Sequence, residues 1–180
     1  MKTQDLIQSL TELTQSNTKE VQAFKELPIE KLNLKQDAKS WSVLECIEHL
    51  NRYGDFYIPE IKNRLEKSTH KKSETFKSGI LGNYFAKSML PKEKLNKMKT
   101  FKSMNPLNSS LDKGVLDKFI AQQEQFLTLL EKSKNTNLTK VKTSISISKW
   151  IKLRLGDTFR VVIYHNLRHV EQAKKIIKYQ

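Results

Sequence analysis

Two histidines, His165 and His169, stand four residues apart in a segment whose apolar residues repeat at helical spacing. On a helix this spacing stacks their Cβ atoms on one face, about 6 Å apart, from where two imidazoles can share one metal ion at about 2.1 Å each. A third histidine, His49, lies beside Leu50 at the edge of another apolar stripe, one turn from Cys46 and from Tyr53. His165 and His169 flank the stripe of their own segment in the same way, so packing of the two helices would bring three rings together. Three neutral imidazoles leave coordination positions open for water or substrate, the layout of a catalytic zinc ion, and suit nickel or another borderline divalent ion equally. An ion held in that way lowers the pKa of a bound water, or holds a thiolate or carbonyl oxygen. The run His165-Asn166-Leu167-Arg168-His169 has Asn where the HExxH metalloprotease helix needs its general-base Glu, which excludes that mechanism. The competing reading makes His165 and His169 a solvated surface pair and His49 a satisfied core histidine.

The neighbours of these rings divide in the same manner. Glu45, one turn before His49, can orient a ring N–H or act as a base, but it is also placed to cap its helix. Gln172, three residues after His169, can reach a metal-bound water or simply occupy a polar edge. Cys46 fits a small buried hydrophobe, with fourth ligand or reactive thiol as the alternative. Tyr53 is placed to line a pocket or to pack. Arg168 is expected to point away from the histidine face into solvent, and His70, in a polar Lys-rich region, lies outside the site.

Four amphipathic helices must carry these groups. Leu6, Leu10, Leu13, Val21 and Phe24 predict the first, with Thr3 as N-cap and a stop before Pro28. The second opens at Ser42 with a capping box to Glu45 and an aromatic staple from Trp41 towards Cys46, then runs through Val43, Ile47, Leu50, Gly54, Tyr57, Ile61 and Leu65 with a bend expected at Pro59. Residues 68–108 form a long Lys-rich connection, containing a short helix near Ile80 to Met89, that either packs as a small subdomain or is partly mobile. Ser110 caps the third helix, whose inner stripe runs from Leu116 to Leu130. Thr143 to Ser148 alternates with period two but lacks a partner run, so it is read as an extended connection. Asp157 caps the fourth helix, which carries Phe159, Val162, Ile163, Val170, Ala173 and Ile177. The pattern predicts an all-α four-helix bundle in a single domain, residues 1–180, with the long connection between helices two and three.

Composition bounds the function. The chain has 180 residues, 33 Lys+Arg against 19 Asp+Glu for a net charge of +14, and one cysteine, which can supply neither a disulfide nor a multi-cysteine zinc site. Eleven Lys and one Arg face only Glu66, Glu74 and Glu93 between Lys62 and Lys102. A basic chain can bind nucleic acid by counterion release, but no stacking pattern of aromatics and no recognised nucleic-acid motif accompanies these lysines, so a solvated surface is favoured. No apolar run approaches the ~18 residues of a membrane span, and Asp5, Glu12 and Glu20 interrupt any leader, so a cytoplasmic protein is expected. The four inner stripes satisfy one another, so a monomer suffices and a homodimer remains open.

The segment Trp41-Ser42-Val43-Leu44-Glu45-Cys46-Ile47-Glu48-His49-Leu50, with Tyr164-His165-Asn166-Leu167-Arg168-His169-Val170-Glu171-Gln172 at the end of a four-helix pattern, resembles the DinB-like (YfiT-like) metalloenzymes. The resemblance covers nearly the whole chain. It implies an up-down-down-up bundle with one divalent metal ion, zinc or nickel, held by His49 from the second helix and by His165 and His169 from the last. Some such proteins are metal-dependent thiol transferases using low-molecular-weight thiols, and others are described as hydrolases. The expected activity is therefore metal-dependent attack by water or a thiol on a small molecule. The alternatives are a non-catalytic metal-binding or stress-response bundle and, less favoured, a basic nucleic-acid binder.

Overall fold

The computed structural model describes residues 1–91 and 100–178, so part of the long connection, residues 92–99, lies outside the described residues. Among the described residues six α-helices and one hairpin follow in order, besides a single 3-10 turn at Lys102–Met104: α1 (Thr3–Phe24), α2 (Ile29–Asn33), α3 (Val43–Glu66), α4 (Ile80–Met89), α5 (Gly114–Ser133), β1 (Lys142–Ile145), β2 (Ser148–Arg154) and α6 (Leu155–Lys178). The four long helices α1, α3, α5 and α6 are those the apolar periodicity predicts, and α4 matches the short helix expected within the connection. No helix among the described residues is long and apolar enough to cross a membrane.

Helix starts show where local signals held and where tertiary contacts replaced them. The capping box at α3 forms as expected: Ser42 Oγ accepts from the Glu45 N–H at 3.2 Å, and Glu45 Oε2 accepts from the Ser42 N–H at 2.9 Å. The helix then runs unbroken through Pro59. Thr3, by contrast, is the first residue of α1 rather than its cap. Its hydroxyl donates to the Ser73 carbonyl at 2.7 Å because the chain leaving α3 returns beside the N-terminus. The start of α5 also moves: Asp112 Oδ1, not Ser110, accepts from the Gly114 N–H at 2.8 Å. Asp157 does not cap α6, which begins two residues earlier. There the Leu155 and Gly156 amides donate to the Val141 and Leu138 carbonyls at 2.9 and 3.2 Å.

The reading of Thr143 to Ser148 as an unpaired extended connection is corrected. Lys142–Ile145 pairs antiparallel with Ser148–Arg154, Thr143 opposite Leu153, with an irregularity between Ser144 and Ile145. Its partner runs straight into α6, ending at Arg154 where the helix begins at Leu155, so in the sequence it merges with the helix. The hairpin is anchored on α3, where Glu60 Oε1 accepts from the Ser144 N–H at 2.8 Å.

Around the bundle, α1 and α3 each pack against both α5 and α6, so consecutive long helices α1 and α3 lie diagonally. Two core clusters set the directions. One joins Leu6 and Leu10 of α1 with Ile61 of α3, Phe126 of α5 and Phe159 of α6. The other joins Val21, Val43, Leu116 and Val170 of the same four helices. The start of α1 therefore lies level with the end of α3, the end of α5 and the start of α6, which is an up-down-down-up order. Polar side chains separate the clusters across the bundle: Asn166 donates to Gln123 Oε1 at 3.0 Å, and Gln122 donates to the Asn51 carbonyl at 3.1 Å. Gly54 on α3 leaves room for Gln122, whose amide a Cβ there would overlap.

Candidate metal centre

The three histidines meet between the two core clusters, where the start of α3 passes the later turns of α6. Antiparallel packing brings His49 opposite His165 and His169, with His49 and His165 buried and His169 partly so. One nitrogen from each ring lies within 4.8 Å of the others. The Nε2 atoms of His49 and His165 are 3.2 Å apart. Two nitrogens on one tetrahedral ion at about 2.05 Å would stand about 3.3 Å apart, so the pair is already at ligand spacing.

Two of the three rings are aimed by a second hydrogen bond. His49 Nδ1 lies 2.7 Å from the Met104 carbonyl, which can only accept, so Nδ1 carries the proton and Nε2 presents its lone pair inward. His169 Nδ1 donates to Gln172 Oε1 at 2.9 Å, with the same consequence for its Nε2. Trp41 covers one side, its ring centroid 4.7 Å from that of His49 and 5.6 Å from that of His169, and its Nε1 donates to Asn105 Oδ1 at 3.2 Å. Tyr53 meets His49 and His165 edge-on at 5.0 and 4.7 Å. The donor set of three neutral, oriented imidazoles fits a divalent ion.

Burial dominates the electrostatics. Desolvation holds His49 down to about 4 and His169 to about 3, with the neighbouring histidine and Arg168 adding repulsion at His169, and His165 falls well below the ordinary range for the same reasons. Burial also pushes the Tyr53 phenol up to about 12, so it stays an O–H donor. In the metal-free protein the folded rings remain neutral while the unfolded chain takes up protons below about pH 6.5. Stability is thus intact above about 6.5 and is lost as pH falls from there towards 4. Each histidine contributes at most about 1.4 kcal/mol per pH unit. Urea unfolding in chelator at pH 7 and pH 5 should show this loss, and replacing His169 by Gln should reduce it; identical midpoints at the two pH values would contradict it.

The rings open onto a cavity of about 860 Å³, walled by α3, α4, the hairpin and α6, with Tyr57, Phe85, Met89 and Leu153 among its lining. Arg168 lines it too and is only 5% exposed, which corrects the expectation of a solvated side chain. The flank of a helix counted as outward from its own stripe faces the cavity here, because α4 and the hairpin extend the wall beyond the four-helix core. Glu45 is buried and committed elsewhere. Beyond its cap it accepts from Lys35 Nζ at 2.7 Å and from the Asn108 N–H at 2.6 Å. Cys46 sits wholly inside the second core cluster, where burial pushes its thiol up, so it behaves as a small hydrophobe. His70 is exposed, away from the trio. The Met104 carbonyl was missed, since a backbone oxygen 55 residues away leaves no local signal.

Fold and site together define an up-down-down-up helical bundle with a three-histidine cluster between its second and last long helices. The DinB superfamily model matches residues 10–173, and the chain belongs to that superfamily. No curated protein and no solved structure matches it.

Proposed function

We propose that His49, His165 and His169 bind one divalent ion, zinc or nickel, and that the protein is a metal-dependent enzyme of hydrolase or thiol S-transferase type acting on a small molecule. The observation that carries this reading is the orientation of the rings: the Nδ1 protons of His49 and His169 are taken up by Met104 and Gln172, which leaves both Nε2 lone pairs available to an ion, that of His49 3.2 Å from His165 Nε2. A bound ion would supply Lewis acidity and a lowered pKa for a coordinated water or thiol. The chain's own groups do the rest. Trp41 shields one side from water, the Tyr53 hydroxyl stays protonated beside the rings, and Gln172 fixes the plane of His169. With both its oxygens engaged, Glu45 takes a structural role in this scheme and no part as base.

A non-catalytic metal store is the second reading, and the roomy cavity beside the trio favours the enzyme over it. The test compares zinc- or nickel-loaded, chelator-treated and His165→Ala protein in panels of ester hydrolysis and of thiol addition to electrophiles. Turnover is expected only in the loaded wild type. Full metal loading with no turnover in any panel would favour the store.

A further inference from the structure

The cavity has a charge as well as a shape. Its charged side chains among the described residues are Lys39, Arg168 and Lys175, and neither Asp nor Glu is among them. The two lysines are exposed, whereas Arg168 is 5% exposed and projects from the turn of α6 that carries His165 and His169. The remaining wall is largely aromatic and aliphatic, with Trp41, Phe85, Met89 and Leu153 contributing. A surplus of positive charge inside low-dielectric walls attracts an anion, and guanidinium matches the planar, two-pronged geometry of a carboxylate. The volume of about 860 Å³ holds a small molecule with an apolar body.

We propose that this cavity takes a small carboxylate with an apolar or aromatic body, its anionic end on Arg168 and its body against Trp41 and Phe85. This rests on the reading of the cavity as the substrate site of the histidine cluster, but it can be tested without any metal. Arg168 is a specificity residue in this scheme: it selects the charged end of the ligand and leaves the apolar body to the walls.

The experiment titrates 4-phenylbutyrate and its uncharged analogue 4-phenylbutyramide into chelator-treated full-length protein, followed by saturation-transfer NMR. Removing the metal prevents the carboxylate from binding through an ion. The acid is expected to bind at least about tenfold tighter than the amide. Arg168→Gln should bring the two together, Arg168→Lys should keep part of the preference, and Lys175→Gln should cost about fivefold or less. Equal affinities in the wild type, no saturation transfer to either compound, or a preference that survives Arg168→Gln would overturn the proposal. The acid-to-amide ratio in the wild type decides even if the Arg168 variants fail to fold. A protein that prefers the acid yet binds no metal would retain this inference and lose the metal site, whereas one that binds metal without preferring the acid would lose this inference alone.

Discussion

Untagged protein should bind close to one zinc or nickel ion per chain, and His49→Ala, His165→Ala and His169→Ala should each abolish stoichiometric binding. Among the described residues the trio has no carboxylate or thiolate to compensate for a lost ring: Cys46 is sealed in the core, and Glu45 is held by Ser42, Lys35 and Asn108. Binding to the folded state alone stabilises it by about 4 kcal/mol when metal stands a thousandfold above its dissociation constant. For a domain of this size that is a rise in Tm of about 8–16 °C. The rise should vanish in all three variants. Gln172→Leu provides a graded comparison, since it removes only the acceptor that orients His169 and should weaken metal binding by about 10–100-fold. Elemental analysis with thermal melts decides the matter, and an undiminished metal content in His49→Ala would rule out the three-histidine site.

Asp157→Ala should lower stability by about 3 kcal/mol, or about 6–12 °C in Tm, while leaving metal content near that of the wild type. Its carboxylate is completely buried. It accepts from the Ser78 hydroxyl, from the Gly79 N–H at 2.8 Å, and from Arg160 Nη1 at 3.1 Å. Gly79 is the residue before α4, so Asp157 caps that helix from across the bundle and pins it to α6. The two helices meet so closely that a Cβ on Gly82 would overlap the Asp157 side chain. Removing the carboxylate takes from a shielded guanidinium its charged partner among the described residues, leaving it Ser78 and Asn83, and leaves the Gly79 N–H without its acceptor. Amide exchange should rise first in Ile80–Met89, which carries Phe85 and Met89 of the cavity wall, while the histidines stay in place on α3 and α6. A Tm within about 2 °C of the wild type would show that α4 is held by its apolar contacts instead.

Asp157 also marks the boundary between what local sequence can specify and what it cannot. An aspartate after a glycine at the head of an amphipathic stripe carries the signal of an N-cap, and it does cap a helix. The helix is α4, 78 residues away along the chain. The acceptor chemistry is encoded locally, but its donor is chosen by packing. The same holds for Arg168, whose flank looks outward on a single helix and faces a cavity once α4 and the hairpin stand beside it.

By itself the sequence determined the four long helices, the α3 capping box and the three histidines with their spacing, because each rests on periodicity or on contacts within one turn. It also determined, through the resemblance of two short segments, the superfamily to which the chain belongs. Only the tertiary structure decided that Met104 and Gln172 aim the rings of His49 and His169, that Lys142–Ile145 finds a partner strand, that Glu45 also accepts from Lys35 and Asn108, and that a cavity free of carboxylates among its described lining opens beside the trio. Most of those facts depend on pairs of residues far apart in the chain. Such pairs are brought together by burial of the two apolar clusters, and because that driving force is non-directional, local spacing shows which residues are buried but not which polar groups they bring together.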